Sequence, residues 1–225
     1  MRRSLHILFT LASIVSLFAC KKGDDAQKEV KYGYFPVEPG HSVTYEVDSM
    51  FHDSAIQVHD TAHYFIKEKI TRTFIDNEGR KSYRIERYRK DSMNGDWRIV
   101  DVWVANRNAK RAEKVEENRR YTKLVFPVRK GRRWDGNAFN DLDEQEYRYS
   151  EVHQSRSIGG EDLDSTVKVL QKDVKNLIEE EYAMEVYALG IGMVKKEERD
   201  LDTYTNGEIR KGSELYMRMI EHRSP

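Results

Sequence analysis

Val43-Thr44-Tyr45-Glu46-Val47 alternates apolar and polar residues one by one. Successive side chains of an extended chain point to opposite faces. A period of two therefore sends Val43, Tyr45 and Val47 to one side and Thr44 and Glu46 to the other. The pattern recurs along the chain. Tyr64, Ile66, Ile70 and Phe74 share one face of a long run, and Tyr83 and Ile85 follow. Trp97, Ile99 and Trp103 then alternate with Val100, Val102 and Val104. Later come Tyr147 and Tyr149, Val167 and Val169, then Tyr182, Met184, Val186 and Ala188, and finally Leu215, Met217 and Met219. Turn residues separate the runs at Asn77-Glu78-Gly79, Asn94-Gly95-Asp96, Gly159-Gly160 and Asn206-Gly207. Short loops of this chemistry join antiparallel strands. The expectation is an all-β domain: a curved antiparallel sheet arranged as a sandwich or a partly open barrel.

One stretch breaks the pattern. Ala105, Ala109, Ala112 and Val115 sit at helical spacing, with Glu113, Glu116 and Glu117 among Arg and Lys residues. A short helix over Ala105 to Arg120 and a charged edge strand both fit it.

The chain also echoes itself. Phe35-Pro36-Val37 with Gly40 returns as Phe126-Pro127-Val128 with Gly131, so that prolines and glycines are each 91 positions apart. Each copy reads as a proline-fixed extended approach and a glycine turn leading into a new strand. This suggests one domain, 32–225, built of two related halves, 32–124 and 125–225.

The amino end carries different information. Arg2 and Arg3 precede an apolar run, Leu5 to Phe18, that contains no Asp, Glu, Lys or Arg. A basic start, a short apolar core and the small Ala19 mark residues 1–19 as a secretory signal. A run of about 14 residues falls short of the roughly 20 needed to span a bilayer. Leu17-Phe18-Ala19-Cys20 resembles a lipobox, which makes Cys20 the expected lipid-bearing first residue of the exported chain. Acyl chains contribute about 0.8 kcal/mol per buried CH₂, so stable anchoring takes more than one. Residues 20–31 lack periodicity and read as a tether. Lys21 leans toward outer-membrane delivery, and lysines followed by Asp24-Asp25 resemble surface-export signals of Bacteroidota lipoproteins.

Composition narrows the function classes. Cys20 is the sole cysteine, so the exported domain has no internal disulfide, catalytic thiol or cysteine metal cluster. Removing residues 1–19 leaves 206 residues with 37 basic and 39 acidic side chains, a formal charge of −2. That balance gives no reason to expect a nucleic-acid partner.

His52, Asp53, His59, Asp60 and His63 gather in one stretch. On a strand His59 and His63 lie about 13 Å apart, too far to share a zinc ion, although a turn near 55 brings His52 toward His59. Asp141, Asp143, Glu144 and Glu146 lack the glycine of a calcium loop. Gly190 and Gly192 form a bare G-x-G that suits a bend rather than a nucleotide. Arg129, Lys130, Arg132 and Arg133, with Arg107, Lys110, Arg111 and Lys114, read as a solvated face, with a phosphate or glycan contact as the alternative. Neither G-x-S-x-G nor H-E-x-x-H occurs. Trp97, Trp103 and Trp134 are core residues or the lining of a ligand cavity.

Leu124-Val125-Phe126-Pro127-Val128 with Gly131 and Trp134-Asp135-Gly136-Asn137 resembles a segment of uncharacterised Bacteroidota lipoproteins. Tyr187-Ala188-Leu189-Gly190-Ile191-Gly192-Met193-Val194 resembles a second such segment, and Tyr34-Phe35-Pro36-Val37 with Gly40 also fits. Val43 departs from the tryptophan common there. The resemblance implies a β-rich exported domain and supplies no activity, cofactor or catalytic residue. The expectation is a non-enzymatic, lipid-anchored binding or scaffolding domain of the cell envelope, its membrane contact made through Cys20. The alternatives are a carrier with a hydrophobic or glycan ligand in a β cavity, or an envelope hydrolase with a dispersed site.

Overall fold

The structure, a computed structural model, describes residues 32–225. The leader, Cys20 and the tether lie outside the described residues. The elements are β1 (Ser42–Asp53), β2 (Val58–Ile75), β3 (Lys81–Lys90), β4 (Arg98–Arg107), β5 (Arg111–Glu116) and β6 (Arg119–Val125), then β7 (Arg133–Asp135), β8 (Glu146–Ile158), β9 (Glu161–Lys175), β10 (Glu179–Ala188), β11 (Gly192–Thr203) and β12 (Ile209–Arg223). They form one sheet in the order β6-β5-β4-β3-β2-β1-β12-β11-β10-β9-β8-β7, and every pairing is antiparallel. Strands next to each other in the chain pair, except β6 and β7 at the two ends of the sheet, and β1 also pairs with β12.

The two ends of the sheet approach each other. The Thr122 N–H donates to the Gly136 carbonyl at 2.9 Å, and Trp134 Nε1 donates to the Thr122 carbonyl at 2.8 Å. The sheet is therefore a nearly closed barrel, which leaves little unpaired strand edge. The all-β antiparallel expectation holds, and the barrel replaces the sandwich.

Ala105 to Arg120 holds no helix. Arg107 ends β4, and the Asn108 side chain caps a turn by accepting the Lys110 and Arg111 N–H groups at 2.8 and 3.0 Å. β5 then folds back through Glu117 and Asn118, both at positive φ (48° and 62°). Two successive left-handed residues make the tight hairpin turn that matches strand twist. Ala105 and Ala112 are spaced like a helix stripe, but both are buried against the barrel's apolar interior instead.

The two proline–glycine turns share a hydrogen-bond pattern. His41 N–H donates to Glu38 O, Gly40 N–H to Ile70 O, and Ile70 N–H to His41 O. In the second copy Arg132 donates to Arg129, Gly131 to Tyr149, and Tyr149 to Arg132. Gly40 and Gly131 both have positive φ, 99° and 77°, which a glycine adopts without a Cβ clash.

Two apolar clusters hold the fold. Tyr34, Phe35, Ile85, Leu124, Phe126, Tyr149, Val167 and Tyr187 belong to the first. Tyr45, Val47, Met184, Val186, Met217, Met219, Ile158 and Leu163 belong to the second. On β10 every residue from Met184 to Ala188 is buried. A strand buried on both faces needs cover on both. The barrel interior covers the Glu185 and Tyr187 face. Ile158 and Leu163, at the end of the β8–β9 hairpin, share a cluster with Met184 and Val186 on the other face. Three register shifts along β8 allow the hairpin to bend over the barrel wall. At its tip, a Cβ on Gly159 would lie 2.0 Å from the Met219 carbonyl oxygen.

Candidate functional site: the charged barrel interior

Inward positions on six strands place charges inside the barrel. Glu68 comes from β2, Arg87 from β3, Lys114 and Glu116 from β5, Lys123 from β6, Glu185 from β10 and Lys196 from β11. All but Lys196, which pairs with Glu198 at 2.8 Å, form a chain of ion pairs. Lys114 Nζ lies 2.7 Å from Glu68 Oε2 and 3.5 Å from Glu116 Oε1. Lys123 Nζ lies 3.3 Å from the same Glu116 oxygen and 2.7 Å from Glu185 Oε1. The Tyr187 hydroxyl donates to Glu185 Oε2. Arg87 Nε is 3.4 Å from Glu68, and its guanidinium stacks 4.3 Å from the Trp103 ring, which Lys114 also approaches at 4.5 Å.

Electrostatics favours the charged forms of Glu116, Glu185 and Lys123. Burial pushes the Glu116 carboxyl up, but Lys123, Lys114 and Lys196 outweigh it and hold it down at about 2. Burial likewise opposes the charge on Glu185, yet Lys123 and Lys196 bring its pKa below the ordinary value. Burial disfavours the Lys123 ammonium, and Glu116 and Glu185 nonetheless raise it well above the usual lysine range. Burial and then Glu185 raise the Tyr187 phenol well above its ordinary value. A general acid or base needs a pKa near the working pH. These carboxylates are held ionised and this amine protonated, the opposite tuning to that of a poised acid or a nucleophilic lysine.

The room beside the chain is small. Phe35, Val43, Tyr45, Ile70, Ile85 and Tyr187 help to line a recess of about 70 Å³. Pockets for drug-sized ligands run to roughly 300–1,000 Å³. The recess has space for a few waters.

The clusters weighed in the sequence disperse or change meaning. Opposite each other across β1 and β2, His52 and His59 place their Nδ1 atoms 2.8 Å apart, and His52 Nε2 is 3.0 Å from Glu214 Oε1. A His52 Nε2–H donating to Glu214 leaves Nδ1 to accept from His59. The turn near 55 thus brings this pair together, whereas His63 faces Asp48 at 2.8 Å. Among the described residues no three His, Cys, Asp or Glu side chains are grouped to hold a metal ion. Asp141 pairs with Arg119 at 3.3 Å and Glu146 with Arg133 at 2.6 Å, on separate partners. The basic residues also scatter. Lys114 points inward, Arg107 donates to the Tyr32 and Phe35 carbonyls, and Arg132 donates to the Pro127 carbonyl. Gly190 and Gly192 make the bend between β10 and β11, where the Gly190 N–H donates to Gly33 O at 2.8 Å. Trp97 lies under Lys67 and Lys90, at 4.4 and 5.0 Å. Trp103 and Trp134 pack beside the first cluster. None of the three lines the recess.

One constellation escaped the sequence reading. The Tyr34 hydroxyl lies 2.7 Å from both His153 Nδ1 and Ser165 Oγ, and the last two are 3.3 Å apart. His153 has φ 55° within the irregular part of β8, where a bulge re-aims a side chain. Separations of 119 and 131 residues leave no local signal for it. The hydroxyl of a buried tyrosine occupies the space between serine and histidine, so the group works as a tether of the Tyr34 segment to the β8–β9 hairpin.

No family model matches the chain. No curated protein matches it. Among solved structures it is similar to a candidate lipoprotein from Parabacteroides distasonis at 11% identity, covering 84% of this chain and 98% of that one with a TM-score of 0.42. No residue role is taken from that likeness.

Proposed function

We propose that this chain is a lipid-anchored lipoprotein of the cell envelope whose β domain binds or scaffolds and does not catalyse. It would be delivered to the outer membrane, tethered through Cys20, and would belong with the Bacteroidota lipoproteins its motifs resemble. The observation that carries the non-enzymatic reading is the barrel interior: charges paired with one another beside a recess of about 70 Å³. An internal carrier site needs several times that volume. Contacts with a partner therefore fall to the outer surface. We also read the chain as two related halves, 32–124 and 125–225, on the strength of the 91-residue echo and the shared turn hydrogen bonds.

The anchor is tested by Cys20→Ala. The variant should move from the membrane to the soluble fraction and lose acyl labelling, with intact mass reporting an unmodified polypeptide. Unchanged membrane retention would overturn the lipoprotein assignment.

A further inference from the structure

Outside the barrel, the bent β8–β9 hairpin leaves a cleft of about 480 Å³ between itself and the wall. We propose that this cleft is a binding site for an oxyanion, a phosphate or the carboxylate of an acidic sugar.

The cleft is lined by Ser155 and Ser157 of β8, Lys168 of β9, Met184 and Val186 of β10, and Lys195 of β11, with Arg156 and Glu197 beside them. Register explains how the lysines converge. Val186 pairs with Lys168 on one side and Lys195 on the other. Directly opposed residues share a face. The two ammonium groups therefore rise on either side of an apolar floor, from backbones about 10 Å apart at two strand spacings. A lysine side chain is long enough for both to reach one small anion between them.

Charge in the cleft is unbalanced. Three cations face one carboxylate, Glu197. Lys195 sits 2.6 Å from that carboxylate. Arg156 is held by Glu151 and by Thr166 Oγ1, the latter at 3.1 Å. Lys168 forms no ion pair among the described residues; its ammonium lies 5.8 Å from the Tyr182 ring centroid. The Ser155 and Ser157 hydroxyls make no hydrogen bond among the described residues and line the same space. An unpaired ammonium, a second close by and two free hydroxyls form a donor set, and an oxyanion supplies the acceptors. The volume lies within the roughly 300–1,000 Å³ of small-molecule sites.

The proposal names the ligand class of a binding domain but does not depend on the lipid anchor. Failure at Cys20 leaves it standing, and its own failure leaves the anchor standing. The test is isothermal titration calorimetry on the full chain in uncharged maltoside micelles, with sodium phosphate, sodium glucuronate and glucose as probes. Saturable binding of phosphate or glucuronate, with Kd on the order of 1 mM and weakening with salt, is expected, together with none for glucose. Phosphate alone assigns a phosphate ligand; glucuronate alone assigns an acidic sugar. Losing a charge-assisted hydrogen bond costs roughly 1.5–3 kcal/mol, so Lys168→Gln should weaken binding about tenfold or more. Ser157→Ala should weaken it less, and Lys175→Gln, a lysine paired with Glu180 away from the cleft, should not change it. Absence of saturable binding by either anion, or binding indifferent to Lys168→Gln in a variant with an unaltered circular dichroism spectrum, would overturn the site.

Discussion

The barrel interior and the cleft under the β8–β9 hairpin both collect lysines, and they use them in opposite ways. Inside, Lys114 and Lys123 each sit between carboxylates, at 2.7 to 3.5 Å, beside a recess of about 70 Å³. Outside, Lys168 has no carboxylate partner among the described residues and faces a space of about 480 Å³. Desolvation explains the difference. An ammonium taken out of water must be paired, because an isolated buried charge costs several kcal/mol. A lysine left at the surface keeps its water and can exchange it for a ligand. Charge alone does not mark a site. Charge with room and without a partner does.

Substitution should separate the two regions most widely. Lys123→Met leaves Glu116 and Glu185 buried without their shared cation and should cost about 3–5 kcal/mol. Lys168→Gln removes an unpaired, partly exposed charge and should stay within about 0.5 kcal/mol. Urea denaturation of both variants checks the contrast, and equal losses would break it.

The interior should also announce itself through pH. The Glu116 carboxyl is held at about 2 against an ordinary 4.5. A depressed carboxyl contributes its full stability above the unfolded value, and that contribution is lost as pH falls from about 4.5 toward 2, up to about 3 kcal/mol. The urea midpoint should therefore drop over that window in the parent. In Lys123→Met the drop should be much shallower, because the cation that depresses both carboxylates is gone. Parallel acid losses in the two proteins would show that other groups control the window.

The cleft exists only while the hairpin stays docked. A Cβ at Gly159, where φ is already 63°, would meet the Met219 carbonyl oxygen at 2.0 Å. Gly159→Ala should cost about 1–3 kcal/mol, as overpacking does, and should raise hydrogen exchange in 153–166 selectively. A modest effect should come from Tyr34→Phe, which removes the hydroxyl held by His153 and Ser165. Its loss should be near 1 kcal/mol and should leave the interior's acid response unchanged.

Some of this architecture was legible in the chain. Alternation along Val43–Val47 and Tyr182–Ala188 and the glycine turns pointed to antiparallel strands, because side-chain period is a local property of an extended backbone. The turn near 55 that joins His52 to His59 was legible for the same reason. The hairpin at Ala105–Arg120 was ambiguous, since four small residues satisfy a helical period by spacing alone. Alternation by itself predicts that Ile99 and Trp103 share one face. The register shift between Arg87 and Tyr88 instead puts Ile99 opposite Tyr88 and leaves Trp103 opposite Ile85. A bulge changes the face without changing the composition, so no pattern announces it.

The amino-acid sequence by itself determined the strand content, the turns and the absence of any disulfide within residues 32–225, because each depends on residue type and short-range order. Only the tertiary structure decided the closure of β6 against β7, the pairing of Lys123 with Glu185 across 62 positions, and the folding of one hairpin over the wall to leave a charged cleft. Those contacts join strands far apart in the chain. Which lysine is buried in a pair and which stands free depends on how the sheet curls, a quantity no local pattern encodes.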